Sequence, residues 1–416
     1  MRQIRELTVD EVDQSIDISA NAYPGMELSN RANRIRYRER LNQLELDPAV
    51  HSYGLFEDGE MRGVMRWFDF TMNFFGAQVL VGGLGGVAVD LLHKKEKVAA
   101  EMVRAFLQHY KEAGSSLVAL YPFRPDFYRR MGFGHGTPMY QYRFLPASLP
   151  KGPTKADLVF LEKADSERLR ACYERYFQRT HGMMARQPDY WDRILNEPTI
   201  KVVGLVRDQY VSGYLVFTFE DGRHDNMLSH SISLREMVYD TAEDLNQLLT
   251  FLHTQADQSE TISYCTQDDS FFYTLRDPRS NPGAMLPHVI AHESSIQGLG
   301  IMYRVLDVPR LFEMLEDHDF NGVSCRVQFE VEDSFLPENG GSTVVAFVDG
   351  RARLAPEATP EVRLSLDVAD FSSLVMGAVG LGKLVEYGLA EVSDADYLGR
   401  LERLFSGPKP VCLTQF

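Results

Sequence analysis

The stretch from Leu84 to Gly136 constrains this chain more than any other. It carries an apolar, glycine-bearing segment into a short basic loop, a helical pattern, a second apolar segment and a tyrosine-bearing turn. Within Gly85-Gly86-Val87-Ala88-Val89-Asp90, the alternating Val87 and Val89 suit a buried strand. Its glycines mark a close backbone approach or a bulge. After His93-Lys94-Lys95-Glu96-Lys97, the spacing of Val98, Met102, Val103, Phe106 and Leu107 predicts one apolar helix face ending near Gly114. The basic loop therefore falls at a helix N-terminus, where unpaired N–H groups and the positive end of the dipole favour phosphate. Ser116 to Tyr121 reads as a second strand, broken by Pro122-Phe123-Arg124-Pro125.

A chain of 416 residues is too long for one ordinary core, and about two to four domains are expected. No apolar run is long enough to span a bilayer, and the opening Met1-Arg2-Gln3-Ile4-Arg5-Glu6-Leu7 has no signal-peptide core, so a cytoplasmic protein is expected. Cys172, Cys265, Cys325 and Cys412 are scattered without a Cys-x-x-Cys pair, which suggests buried thiols and neither a zinc site nor a disulfide scaffold. A net charge of −16 argues against a nucleic-acid surface. It either raises the local concentration of a cationic partner or serves solubility alone.

Thr8 to Ala20 fits a capped amphipathic helix, and Asn30 to Leu44 a second one. A hairpin turns at Glu57-Asp58-Gly59-Glu60, and Ala77 to Leu84 leads into the opening stretch. The cluster Trp67, Phe68, Phe70, Phe74 and Phe75 either fills a core or walls a pocket. Leu145 to Pro153, with three prolines, reads as a linker. Beyond it the pattern partly repeats: paired strands over Lys201 to Phe219, a strand over Ile232 to Val238, a helix over Thr241 to Gln255 and a strand over Thr261 to Cys265. The turn before this second helix, Tyr239-Asp240-Thr241-Ala242-Glu243-Asp244, is acidic, so it satisfies the dipole itself and repels pyrophosphate. From about Gly298 the chain reads as a small sheet covered by helices.

Strand, basic turn, helix and strand, then Phe127-Tyr128-Arg129-Arg130-Met131-Gly132-Phe133-Gly134, resemble the GNAT acetyltransferase superfamily. The last part, with Met302-Tyr303-Arg304-Val305-Leu306-Asp307 leading into it, looks like a sterol-carrier-protein-like domain. Together they resemble the enhanced-intracellular-survival (Eis) acetyltransferases. The resemblance implies an α/β (α+β) fold: a catalytic GNAT domain over residues 1–148, a second GNAT-like domain without cofactor over 149–297, and a sterol-carrier-protein-like α+β domain over 298–416, whose tail returns to the active site.

The resemblance also implies acetyl-CoA as cosubstrate and transfer of its acetyl group to a primary amine. The acceptor would be cationic: aminoglycoside-like, a polyamine or a lysine. By position Tyr128 is the general acid, and the main-chain carboxylate of Phe416 is the base. Val87 and Val89 are backbone partners of the pantetheine arm, with the Val87 N–H at the thioester oxygen, and Lys94, Lys95, Lys97 and Val98 surround the pyrophosphate. Lys94 and Lys95 replace the family's arginines, and Lys97 stands where a glycine is expected. Homo-oligomers, hexamers among them, are expected on the same ground. A second reading stays open, a binding protein whose altered turn has lost CoA or whose C-terminal module holds an apolar ligand.

Overall fold

The computed structural model describes residues 1–221, 229–280, 285–286 and 290–416. They form two compact units: Met1–Gly136 with Ile301–Pro410 and Thr414–Phe416, and Thr137–Gly300 with Val411–Leu413.

The first unit opens with β1 (Arg2–Glu6), α1 (Val12–Ala22) and α2 (Arg31–Leu44). Thr8 and Glu11 close a capping box ahead of α1, and the Asn30 side chain accepts from the N–H groups of Ala32 and Asn33 at the start of α2. There follow β2 (Val50–Glu57), β3 (Glu60–Phe74), β4 (Ala77–Val89), α3 (Val98–Glu112), β5 (Leu117–Leu120), α4 (Pro125–Arg129) and β6 (Gly134–His135). Val98, Met102, Val103, Phe106, Leu107 and Tyr110 of α3 are all buried, packed in one core with Trp67, Leu84, Val118 and Leu120. Each such side chain contributes about 1.5–3 kcal/mol by leaving water.

The second unit holds β7 (Met139–Phe144), β8 (Leu158–Phe160), α5 (Ser166–Arg179), α6 (Tyr190–Asn196), β9 (Ile200–Arg207), β10 (Tyr210–Asp221), β11 (His230–Tyr239), α7 (Ala242–His253), β12 (Ser259–Thr266) and β13 (Ile296–Gly298). They form a seven-stranded sheet ordered β13-β7-β12-β11-β10-β9-β8. Leu149, inside the stretch read as a linker, is fully buried in this unit's core with Phe144 and Leu248.

The chain then re-enters the first unit with β14 (Met302–Val305), α8 (Val308–Met314), β15 (Cys325–Glu332), β16 (Gly341–Val348), β17 (Arg351–Leu354), β18 (Val362–Asp367), α9 (Val368–Val375), α10 (Leu381–Glu386), β19 (Ala390–Val392) and α11 (Leu398–Leu404). β14 lies between β5 and β6, giving the seven-stranded order β1-β2-β3-β4-β5-β14-β6, while the later strands form a five-stranded sheet. Thus each crossover sheet is completed by a strand from beyond its own crossover: β7 pairs with β12, and β14 with β5. The compact units divide at 136/137 and 300/301, whereas the sequence suggested 148/149 and 297/298. Strand pairing between distant segments leaves no mark in local composition.

Within the five-stranded part, Phe312, Phe320, Phe329, Phe347, Phe371 and Phe405 pack ring on ring. The void lined by Phe312, Phe320 and Phe405 measures about 10 Å³. Small-molecule pockets run to roughly 300–1,000 Å³. The aromatic rings fill this part of the interior. Among the described residues, no helix is long and apolar enough to cross a membrane.

Candidate active site

β4 and β5 run parallel from Val81 opposite Leu117 to Leu84 opposite Leu120, and there their pairing stops. Gly85 to Val89 continue on β3 alone, so the two strands part and leave one edge of β4 unpaired. On that stretch the ladder with β3 slips: Val64 pairs with Ala88 and Arg66 with Gly85, leaving Gly86 and Val87 opposite Met65. Gly86 takes a φ of +59°, which a glycine adopts without strain. The Tyr23 hydroxyl at the end of α1 donates to the Val87 carbonyl and fixes the bulge from outside the sheet. Burial first, and then the neighbouring Tyr37, push this phenol up to about 12, against a smaller opposing pull from Arg66.

Beyond β4 the Asp90 side chain accepts from the Leu92 N–H, and His93 contacts Glu96 at 3.0 Å. Lys95 (φ +70°) and Lys97 (φ +65°) both adopt left-handed backbone, so Lys97 takes by force the conformation that a glycine there would take freely. Lys97 is also the N-cap of α3 and offers no side-chain cap. The first-turn N–H groups therefore keep no side-chain acceptor, and the positive end of a 15-residue helix faces outward.

A cavity of about 580 Å³ opens at this point. Val87, Val89, Lys94, Lys95, Lys97 and Val98, the six positions the sequence singled out for the donor, all line it, with Tyr23, Phe123, Arg124 and Phe127. The unpaired edge of β4, an uncapped helix N-terminus and three lysines fit a long ligand ending in phosphates. Tyr23 had no mark in the sequence beyond the end of an amphipathic helix.

Tyr128 follows from Pro125 at the first position of α4, which starts the turn after β5. Its ring is 3% exposed and packs edge-on against Phe123 and Phe127, both of them cavity residues. Burial, and secondarily Tyr23, raise its pKa, which keeps the phenol neutral. The turn is locked from behind. Gly132 has φ +81°, and a Cβ there would lie 1.4 Å from Nη1 of Arg304, which donates to the Met131 carbonyl. Arg304 also pairs with Asp333 at 2.6 Å, both side chains fully buried. Arg129 pairs with Asp370 at 2.6 Å. The two segments the sequence singled out, around Tyr128 and around Tyr303, thus meet through Arg304.

Phe416 lies against β4. Its ring is tilted against Phe70 at 4.8 Å and edge-on to Tyr121 at 5.3 Å and Phe68 at 5.5 Å. The Tyr121 hydroxyl donates to the Thr414 carbonyl at 3.1 Å. The carboxyl carbon of Phe416 sits 3.3 Å from where a Cβ on Gly85 would be, two residues from Val87. The aromatic cluster therefore divides: Trp67, stacked on Tyr53 at 3.7 Å, and Phe74 are core residues, while Phe68 and Phe70 receive the ring of Phe416.

Comparison with known proteins agrees with this geometry. Acetyltransferase (GNAT) domain families match residues 3–136 and 182–304, and a sterol carrier protein domain matches 308–413. The chain is 26% identical over 374 residues to the N-acetyltransferase Eis of Mycobacterium tuberculosis, covering 85% of each chain. Among solved structures it resembles a GCN5-related N-acetyltransferase from Anabaena variabilis, with a TM-score of 0.83, 17% identity and 100% of both chains covered. It also resembles Eis1 from Mycobacterium abscessus, with a TM-score of 0.76, 20% identity and 100% of both chains covered. With two GNAT domains, a sterol-carrier-like domain and an Eis relative along most of its length, the chain belongs to the Eis family of GNAT N-acetyltransferases, enzymes whose acyl donor is acetyl-CoA.

Proposed function

We propose that this acetyltransferase moves the acetyl group of acetyl-CoA to a primary amine in the opening between β4 and β5. The observation that carries the reading is one cavity that gathers the uncapped α3 N-terminus, three lysines and the Val87–Val89 stretch of β4 just past the bulge. Acetyl-CoA supplies the activated acyl carbon as a thioester. Lys94, Lys95 and Lys97, with the first-turn N–H groups of α3 from Val98 onward, hold the pyrophosphate. The main chain of Val87 and Val89 holds the pantetheine arm, and the Val87 N–H faces the thioester oxygen, where negative charge develops. The Phe416 carboxylate draws in the acceptor ammonium and accepts one of its protons, directly or through water. The nitrogen lone pair then forms the C–N bond as the C–S bond breaks, and Tyr128 gives its phenolic proton to the departing sulfur. The second ammonium proton returns to the phenol through solvent. The balance is one ammonium and one acetyl thioester giving one amide, one free thiol and one proton.

The acceptor arrives as a cation, the state shared by the amines of aminoglycosides, polyamines and lysine, and a chain of net charge −16 concentrates it. The second unit holds no donor in this reading, because Thr241 and Asp244 cap α7 with their own side chains. Amine-dependent release of free thiol from acetyl-CoA, compared between the full chain and one lacking Phe416, tests the assignment. A loss of about 10²-fold or more is expected. An unchanged rate removes the base, and calorimetry without saturable acetyl-CoA binding overturns the donor site.

A further inference from the structure

Arg2 has no part in the chemistry above and does not line the cavity, yet it grips the loop that carries the three lysines. Directly opposite Glu57 in the β1–β2 ladder, it donates from Nε to Glu57 Oε1 at 2.9 Å. Its Nη1 donates to the main-chain carbonyl of Glu96 at 2.9 Å and to Oε1 of Glu101, in the first turn of α3, at 2.7 Å, and Nη2 lies 3.8 Å from Glu96 Oε2. Glu57, His93 and Glu96 bring three ligand-type atoms within 4.8 Å of one another, and the Arg2 guanidinium already supplies a positive charge to both carboxylates. An isolated surface ion pair contributes little. This one is a fork that ties a strand, a loop and a helix start through a single planar group, on a side chain only 25% exposed.

Glu96 sits between the two left-handed residues of the loop, Lys95 at φ +70° and Lys97 at φ +65°. A residue with a Cβ enters that region at a cost, so both lysines relax toward ordinary backbone unless something outside the loop holds them. The peptide joining Glu96 to Lys97 is planar and trans. A donor fixed on the Glu96 oxygen therefore turns the Lys97 N–H to the opposite side and, through that plane, sets the entry into α3. The geometry points to Arg2 as the positioning residue of the donor site: it holds the loop in the shape that presents the first-turn N–H groups of α3 to a pyrophosphate. Glycines would take that shape without help; lysines need the tether. This inference rests on the donor-site reading above and adds to it a residue outside the cavity.

The test is acetyl-CoA calorimetry on the full chain with Arg2→Met, Arg2→Lys, Lys97→Gly, and Arg2→Met combined with Lys97→Gly. In R2M the Kd is expected to rise about five- to tenfold, the scale of a lost charge-assisted hydrogen bond, while kcat at saturating acetyl-CoA stays within about twofold. R2K keeps the charge but not the fork, so it should recover only part of the affinity. A glycine at 97 takes the left-handed shape unaided, so in the K97G background the added loss from R2M should shrink to about twofold or less. Misfolded protein lowers the number of sites and leaves the Kd unmoved. An R2M chain that binds as tightly as the unsubstituted one overturns the inference and leaves the donor site intact. So does a loss of the same size in both backgrounds, which the freed charges of Glu57, Glu96 and Glu101 alone would give. An unsubstituted chain that binds no acetyl-CoA overturns the donor reading instead. Amide exchange then reads the tether by itself: it should be about tenfold faster at Lys97 and Val98 in R2M, and unchanged exchange overturns the inference whatever calorimetry finds.

Discussion

In the first unit the helix after the glycine-bearing strand begins at Lys97, in left-handed backbone and without a side-chain cap. In the second unit α7 begins at Thr241, whose side chain accepts from the Asp244 N–H while Asp244 returns the bond to Thr241. Asp244 is fully buried and also accepts from Ser212 at 2.8 Å and Arg207 at 2.9 Å, and Asp240 ahead of it is held by Arg175 and Arg179 at 2.7 Å each. The preceding strands differ in the same sense. Both carry a bulge, but where the first has bare Gly86 and Val87, the second has Glu236 beside the extra residue Arg235. Glu236 takes both terminal nitrogens of Arg186, a guanidinium that lies 3.9 Å from the Tyr173 ring and 4.1 Å from that of Tyr190. One crossover leaves its helix start without a side-chain cap; the other caps its helix start and fills its bulge with a paired carboxylate. In the proposed donor site, phosphate is held less by added residues than by the absence of the cap that an ordinary helix would keep.

The largest expected effect separates the two tyrosine-bearing turns. Tyr128→Phe should lower turnover by about 10²- to 10⁴-fold. Tyr273, 81% exposed in the turn after β12, should tolerate the same change without effect, and equal losses would break the contrast. The pH profile sharpens it. Burial raises the Tyr128 pKa, so the protonated form persists, and no alkaline loss from this group is expected below about pH 10. A Tyr128-dependent fall between pH 8 and 9 would contradict that assignment.

Next come the phosphate loops. Calorimetry should find one acetyl-CoA per chain, and Lys94→Ala or Lys95→Ala should each weaken it about two- to fivefold, the range for a charge at a helix end. Two equivalents per chain would mean that the acidic cap of α7 does not exclude the donor. The smallest effect concerns the caps themselves. Lys97→Gly should raise stability by less than about 1 kcal/mol, since relief of left-handed strain is partly offset by backbone entropy. Thr241→Gly should lower it by a few tenths of a kcal/mol. Urea midpoints measure both, and equal signs would erase the difference between the two helix starts.

Much of this was legible in the chain. Val98, Met102, Val103, Phe106 and Leu107 announced α3 by their spacing, and all are buried. Gly85-Gly86 announced a bulge, and the acidic run at Asp240 announced a self-capped α7, because caps and bulges are local events. The gathering of Val87, Val89 and the three lysines on one cavity followed from adjacency along β4 and its loop. The exchange of β7 and β14 was invisible, since a strand of four to six residues does not say which distant edge it will join. The start of the chain, read only as having no signal-peptide core, is β1, paired residue for residue with β2.

The overlap of Gly132 with Arg304 has a further reach. A methyl group at 132 and a guanidinium at 304 claim the same volume, so neither position can be redesigned alone. Shortening the arginine strands Asp333 in an apolar interior, and enlarging the glycine evicts the arginine. A library that varied the turn around Tyr128 while holding 304 constant would sample almost only non-folding chains at 132. Positions 132, 304 and 333 therefore have to be varied jointly to reshape the turn that carries Tyr128.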